Sequence, residues 1–265
     1  MNKIESAILE IEKLDVMARE DRWINQIHPL AKLFVTVLYI VLVMSFHRYD
    51  IYGLLSMAIY PFFIFQLSGL SFKNALYRLR VVLPLVCIVG IFNPIFDRTI
   101  LVETPFVIRG GMVSMITLML KGIFTVFATY ILIASTTIEK ICYALRKIHI
   151  PKILVTEIML IYRYITVLLQ ETNRITQAYA LRAPGQKGIA YKAWGSLAGQ
   201  LLLRSMDRAD QVYEAMLMRG YHGEFPFGVT KSFDKNDVMF CILGAGGSLL
   251  LRVFPLFYWI GSFFV

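Results

Sequence analysis

Two arginines occupy matching places in the chain. Arg182 lies in AYALRAPG (178–185) and Arg219 in EAMLMRGYHG (214–223). Each closes a long helical pattern just before a stop signal, Ala183-Pro184-Gly185 after the first and Gly220 after the second. The chemistry open to an arginine at a helix tip is recognition rather than catalysis. One such arginine is accounted for by the helix dipole, worth ~0.3–1 kcal/mol, with Gly or Pro simply ending the helix. Two of them, each at the tip of a long helix in one polar segment, point to a pair of protruding anchors. Arginine is enriched where truncation of an interface residue costs ~2 kcal/mol or more.

The other groups that could do chemistry are dispersed. His28, His47, His149 and His222 have no spacing that brings two onto one helix face, and His222 reads as the rim of an interface. Cys87, Cys142 and Cys241 are isolated and form neither a disulfide framework nor a CxxC site. No compact stretch holds a Ser–His or paired-carboxylate arrangement, so the chain reads as non-catalytic, with no metal site and no bound cofactor. There is no GxxxxGK[ST] loop for ATP. GAGGS (244–248) lacks the lysine and lies in an apolar run, where small residues serve close helix packing. The net charge of +9 matches a Lys/Arg excess in cytoplasmic loops. No basic run interleaves with aromatics, which excludes nucleic acid as a partner.

The elements that must carry the arginines are membrane-type. The chain is 57% hydrophobic with a mean hydropathy of +0.63, against ~45–50% apolar for soluble domains. An all-α membrane protein follows, with about five spans in the lipid bilayer of the cell membrane. They lie at 31–46, 51–69, 81–96, 112–136 and 238–263. Pro84 and Asn93-Pro94 predict a tilted or broken third span. Ile4, Ile8, Ile11 and Leu14 recur at helical spacing in the charged N-terminus, which suggests a surface helix. Lys73, Arg78 and Arg80 place the 71–80 loop in the cytoplasm, while the 47–50 and 97–111 loops are nearly charge-balanced. The N-terminus is then cytoplasmic and the C-terminus outside.

This divides the chain into a surface helix with a four-span bundle (1–136), a cytoplasmic segment (137–236) and a last span (237–265). Within the segment, 153–170 is apolar enough to span but carries Glu157 and Arg163, each costing ~2.5–3.5 kcal/mol at a bilayer centre. It reads as a buried helix that does not cross. Three helices are expected: 136–149, Pro151 to about Ala183, and about Ala190 to Arg219. In the third, Leu202, Met206, Ala209, Tyr213 and Met216 form one apolar stripe, expected to pack on the second helix or on the membrane bundle.

RSMDRADQVYEAMLMRGYHG (204–223) closely resembles the second coupling-helix motif of the transmembrane T component of energy-coupling factor (ECF) importers, most of all the cobalt-type CbiQ proteins. IHPLAKLF (27–34) resembles the entry to that family's first span. YALRA (179–183) matches its first alanine–arginine motif, with Ala183-Pro184 where glycine is usual. The resemblance implies a coupling and scaffold subunit of an ATP-driven importer, for cobalt in the first instance. Two ABC-type (CbiO-like) ATPases would use ATP and Mg. A CbiM-like substrate-binding membrane subunit, with a small CbiN-like accessory subunit, would lie against the hydrophobic surface. The docking motifs would be Ala180, Leu181, Arg182 and Ala183, and Met218, Arg219 and Gly220, one arginine per ATPase. The alternatives are nickel or a vitamin as cargo, or a stand-alone secondary transporter. The latter would show inverted repeats and charges near the midplane. No repeat is seen, and the first four spans carry only Lys32 and Lys121, near their ends or one turn in.

Overall fold

Helices make up nearly all of the protein in the computed structural model, which describes residues 3–70, 72–96, 100–102, 108–186, 188–223 and 233–254. They are α1 (Lys3–Arg19), α2 (Trp23–Gln26), α3 (Pro29–Met44), α4 (Ile51–Ser56), α5 (Ile59–Ser68), α6 (Phe72–Phe96), α7 (Gly110–Ser135), α8 (Ile138–Lys147), α9 (Lys152–Arg182), α10 (Tyr191–Met218) and α11 (Lys235–Val253). An antiparallel ribbon of β1 (Ile100–Val102) and β2 (Ile108–Arg109) precedes α7, the one departure from helix among the described residues. Helices Ile51–Ser68, Gly110–Ser135, Lys152–Arg182 and Lys235–Val253 are long and apolar enough to cross a bilayer, as is the bent pair within α6. The end of the expected last span (255–263), most of the 97–107 loop, Lys187 and Lys231 lie outside the described residues.

The chain forms two compact units. One comprises residues 17–137 and 231–265, the other 1–16 and 138–230.

In the first, the membrane unit, α3 and α7 run antiparallel, and each supplies a lysine to the other's C-terminus. Lys32 Nζ donates to the Ser135 carbonyl at 2.6 Å. Lys121 Nζ donates to the Phe46 and Met44 carbonyls at 2.6 and 3.2 Å. Unsatisfied carbonyls at a helix end carry partial negative charge, so both lysines are matched where they sit. A core of Tyr39, Val43, Phe46, Leu54, Met57, Phe124 and Ala128 fills the space between.

Prolines set the breaks. Pro61 has no N–H, which leaves the Met57 carbonyl without its helical donor. The chain breaks between α4 and α5, and the Tyr39 hydroxyl donates to that carbonyl instead, at 2.9 Å. Pro84 likewise frees the Arg80 carbonyl, and α6 bends by 50° between Arg80 and Val82. The expected broken third span is therefore a bent one, and the second expected span is broken as well.

At the start of α11, Asp234 and Asp237 form a capping box, and the free Asp237 oxygen accepts the His28 backbone N–H at 2.8 Å. His28 in turn caps α3, its Nδ1 accepting the Leu30 N–H. Further along, Gly244 lets α11 approach α3. A Cβ there would sit 2.7 Å from Val35 Cγ1, whereas Gly246 and Gly247 face open space.

In the second unit α8 packs on α9, and α9 and α10 pair. The 153–170 stretch departs from the buried helix expected of it. Across α9 only Val155, Thr156 and Ile175 are buried, and Glu157 and Arg163 are exposed. By length and composition it is apolar enough to cross a bilayer, like the spans.

Candidate functional site

Helices α9 and α10 form an antiparallel hairpin. Tyr179 lies beside Ala190, whose N–H donates to the tyrosine hydroxyl. Glu171 pairs with Arg204. Farther from the turn, Ile153–Leu168 and Ser205–Tyr221 line a shared groove. Arg182 therefore stands at the turn of the hairpin and Arg219 at its far end. The 28 residues of α10 between them span about 42 Å.

The two tips end differently and present the same chemistry. In α10, Arg219 is the C-cap and Gly220 is left-handed with φ +77°. The Gly220 N–H donates to Leu217 O at 2.9 Å and the Tyr221 N–H to Met216 O at 3.0 Å, a complete Schellman motif. In α9, Pro184 cannot continue the helix. Ala183-Pro184-Gly185-Gln186 turns with Gly185 at φ +92° and a Gln186 N–H to Ala183 O bond of 3.3 Å, the type II pattern. This is the physical consequence of Ala183-Pro184 standing where glycine is usual. Tyr179 braces the turn, its hydroxyl donating to Gln186 Oε1 at 3.0 Å.

Each tip thus shows a bulky apolar side chain followed by a guanidinium. Leu181 is 83% and Met218 92% exposed. Ala180, Arg182, Arg219 and Gly220 are also exposed, and Ala183 is half-buried. Among the described residues neither arginine has an ion pair.

The apolar stripe departs from expectation. α10 has no buried residue, and Leu202, Met206 and Tyr213 are each more than half exposed. Ala209, Tyr213 and Met216 line the groove of about 520 Å³ together with Leu160, Tyr164 and Leu168 of α9. The stripe lines an opening instead of packing away because α9 and α10 meet closely only near the Glu171–Arg204 pair and the turn. The α9 wall was legible in the sequence as a step of four, Leu160–Tyr164–Leu168, but it stood inside a stretch read as buried. The Glu171–Arg204 link joins residues 33 apart and had no local signal.

Burial pushes the Cys142 thiol up from its ordinary value, and the nearby Glu139 carboxylate adds to the shift. Among the described residues no group of three or more His, Cys, Asp and Glu side chains converges.

Comparisons with known proteins agree with this architecture. The family model of the cobalt transport protein CbiQ matches residues 20–227, a stretch that takes in both helix tips. An uncharacterised protein of Methanocaldococcus jannaschii is 25% identical over 71% of this chain and 68% of its own length. The energy-coupling factor transporter transmembrane protein EcfT of Listeria innocua is 25% identical, over 76% of this chain and 81% of its own. The cobalt transport protein CbiQ of Salmonella typhimurium is 28% identical over 44% of this chain and 52% of its own. With its membrane-type helices and a family match covering most of its length, the chain is a multi-pass membrane protein that belongs to the CbiQ family of cobalt transport proteins.

Proposed function

We propose that this chain is the transmembrane T component of an ECF importer, a non-catalytic subunit that couples two ABC-type ATPases to a substrate-binding membrane subunit. The observation that carries the reading is the pair of tips. Leu181-Arg182 and Met218-Arg219 are exposed at opposite ends of one hairpin, about 42 Å apart. A hairpin with an apolar-plus-cation tip at each end suits two copies of one partner. Arg182 docks on one ATPase and Arg219 on the other, and ATP with Mg is used there rather than on this chain. The α9–α10 groove, almost entirely apolar, receives the membrane subunit of CbiM type, with a CbiN-like subunit beside it. The N-terminus and residues 137–236 are cytoplasmic, residues 1–136 and 237–265 carry the spans, and the C-terminus is outside. Cobalt is the cargo, in keeping with the family and the Salmonella relative. The coupling subunit need not touch the metal, which is substrate to its partners.

The secondary-transporter reading loses its footing in the lysines. Lys32 and Lys121 are engaged with helix-end carbonyls and supply no charge for a central substrate site.

Purification of the tagged chain from its own cells in mild detergent tests the proposal. It should bring down ABC-type ATPases and a small membrane protein. Arg182→Glu together with Arg219→Glu should remove the ATPases while leaving the membrane protein and the helicity in place. Wild-type ATPase yield and uptake in the double variant would overturn the anchor roles, and ATP-independent transport by the chain alone would overturn the T-component reading.

A further inference from the structure

The two ends of the α9–α10 hairpin share a tip chemistry and differ in what surrounds it. Between Glu171 and Asp207 the sequence holds no carboxylate. Arg174 and Arg204, toward the edges of that stretch, both pair with Glu171, which leaves its middle cationic. Arg182 and Lys192 are exposed there, and neither has an ion pair among the described residues. Toward Arg219 the balance reverses. Asp207, Asp210 and Glu214 are exposed on the half of α10 that leads to it, with Arg208 the one cation among them.

The aromatic side chains differ in the same sense. Tyr191 and Trp194 open α10 at 93% and 56% exposure. Three residues apart, they are neighbours on one helix surface. Ala190, just before them, donates its N–H to the Tyr179 hydroxyl at 3.3 Å. The first turn of α10 therefore starts beside the last turn of α9, where Leu181 and Arg182 are exposed. At the far end Tyr221 is half-buried and lines the groove instead.

Tyrosine, tryptophan and arginine are the residue types that carry interface hot spots, and here all three are left in water at one end of the hairpin. Exposed cations with no carboxylate among them suit an acidic surface, whereas Asp210 and Glu214 would repel the same surface at the far end. A lipid surface is held by clusters of about four to eight lysines and arginines. Apart from the pairs to Glu171, the stretch has Arg182, Lys187 and Lys192, which favours a protein with a carboxylate-lined cleft. Resting on the T-component reading, we propose that Tyr191, Lys192 and Trp194 extend the Leu181–Arg182 tip into one docking surface for an acidic cleft of one ATPase. This end holds its ATPase more tightly than the Arg219 end holds the other.

The test is nucleotide-free binding of the ABC-type ATPase that copurifies with the chain, added back to the full chain in phosphatidylcholine nanodiscs. Arg219→Glu leaves the turn end alone and should still bind one ATPase per chain. Arg182→Glu leaves the far end alone and should bind roughly tenfold more weakly. In the Arg219→Glu background, Tyr191→Ala and Trp194→Ala should each weaken binding about fivefold or more, and Lys192→Gln should flatten its salt dependence. Leu203→Ala, which truncates a similarly exposed side chain farther along α10, should leave binding unchanged. Circular dichroism reports that each variant keeps its helicity. Unchanged binding in Tyr191→Ala and Trp194→Ala, equal loss in Leu203→Ala, or equal affinity at the two ends would overturn the surface. Protection of residues 178–196 from hydrogen exchange by phosphatidylglycerol discs alone would assign it to lipid and overturn it as well. Absence of any ATPase from the wild-type preparation would overturn the T-component reading itself, and this surface with it.

Discussion

The membrane unit and the α8–α10 unit both display apolar side chains and differ in what lies beneath them. The first has a buried core under the exposed apolar side chains of its spans. Tyr39, Leu54, Met57 and Val43 are at 0% exposure, and the polar groups among them are matched to carbonyls. The second has almost no such core, since α10 buries nothing and α9 buries three side chains. A large exposed apolar face marks a surface meant to be covered. One unit has a core of its own, and in the other α9 and α10 have almost none. The sharpest way to break this contrast is a matched truncation. Leu54→Ala opens a cavity in the core and should cost on the order of 2 kcal/mol or more in detergent unfolding. Leu202→Ala, on the exposed stripe, should stay within about 0.5 kcal/mol. Equal losses would mean that the α10 stripe is covered within the isolated chain.

Glycine gives a second matched pair within a single helix. Gly244→Ala would put a Cβ 2.7 Å from Val35 Cγ1, with backbone or Val35 forced to move. Overpacking of that kind costs about 1–3 kcal/mol. Gly247→Ala meets nothing and should be neutral or raise stability by up to ~1 kcal/mol through helix propensity. Thermal melts of the two variants decide it. If both are neutral, α3 and α11 do not touch as closely as the packing of the membrane unit requires.

Much of this was legible in the sequence, for local reasons. The helices at 152–182 and 191–218 fall within a residue or two of where their stop signals put them, because Pro184 and Gly220 act on their own neighbours. Pro84 announced the bend of α6 in the same way. The tips were legible for the same reason: an exposed Leu-Arg or Met-Arg next to a stop needs no distant partner. What stayed hidden was long-range. Nothing near Pro61 says that Tyr39 will take up the Met57 carbonyl, and nothing near Lys32 or Lys121 says that each closes the other's helix. The groove shows the converse error. An apolar run such as 153–170 carries the same composition whether it faces a core, a bilayer or a missing subunit, so hydropathy alone led to a buried helix where the face is open.

Backbone strain offers a finer probe of the second unit. His149 sits at φ +69° between α8 and α9. Its N–H donates to Arg146 O at 3.1 Å, and the Ile150 N–H donates to Leu145 O at 3.3 Å. This is a Schellman ending with histidine where glycine is usual, a position that costs an L-residue about 1 kcal/mol or more. His149→Gly removes that cost and adds some unfolded-state entropy. The net gain should be a few tenths to ~1 kcal/mol, read as slower hydrogen exchange at the α8–α9 junction. In a unit with so little core, a backbone term of this size should be visible, and faster exchange in the variant would show that the histidine side chain holds the junction instead.

The smallest effect expected is at the clasp between α9 and α10. Glu171 is 22% exposed and receives Arg204, itself 56% exposed, with Arg174 a more distant 3.8 Å away. Solvent screens a pair like this, and double-mutant cycles on exposed ion pairs return about 0.2–1 kcal/mol. Glu171→Gln, Arg204→Gln and the pair should give a coupling in that range, barely moving the melt. Position gives the pair more leverage than its energy. It lies where the groove ends and the hairpin closes, so losing it should let α10 splay from α9. Spin labels at positions 161 and 213, on opposite walls of the groove, would then report a broader distance distribution in Glu171→Gln, with the stability almost unchanged. An unchanged distribution would assign the spacing of the walls to the 183–190 turn alone, and the groove would be as rigid as the membrane unit it is contrasted with.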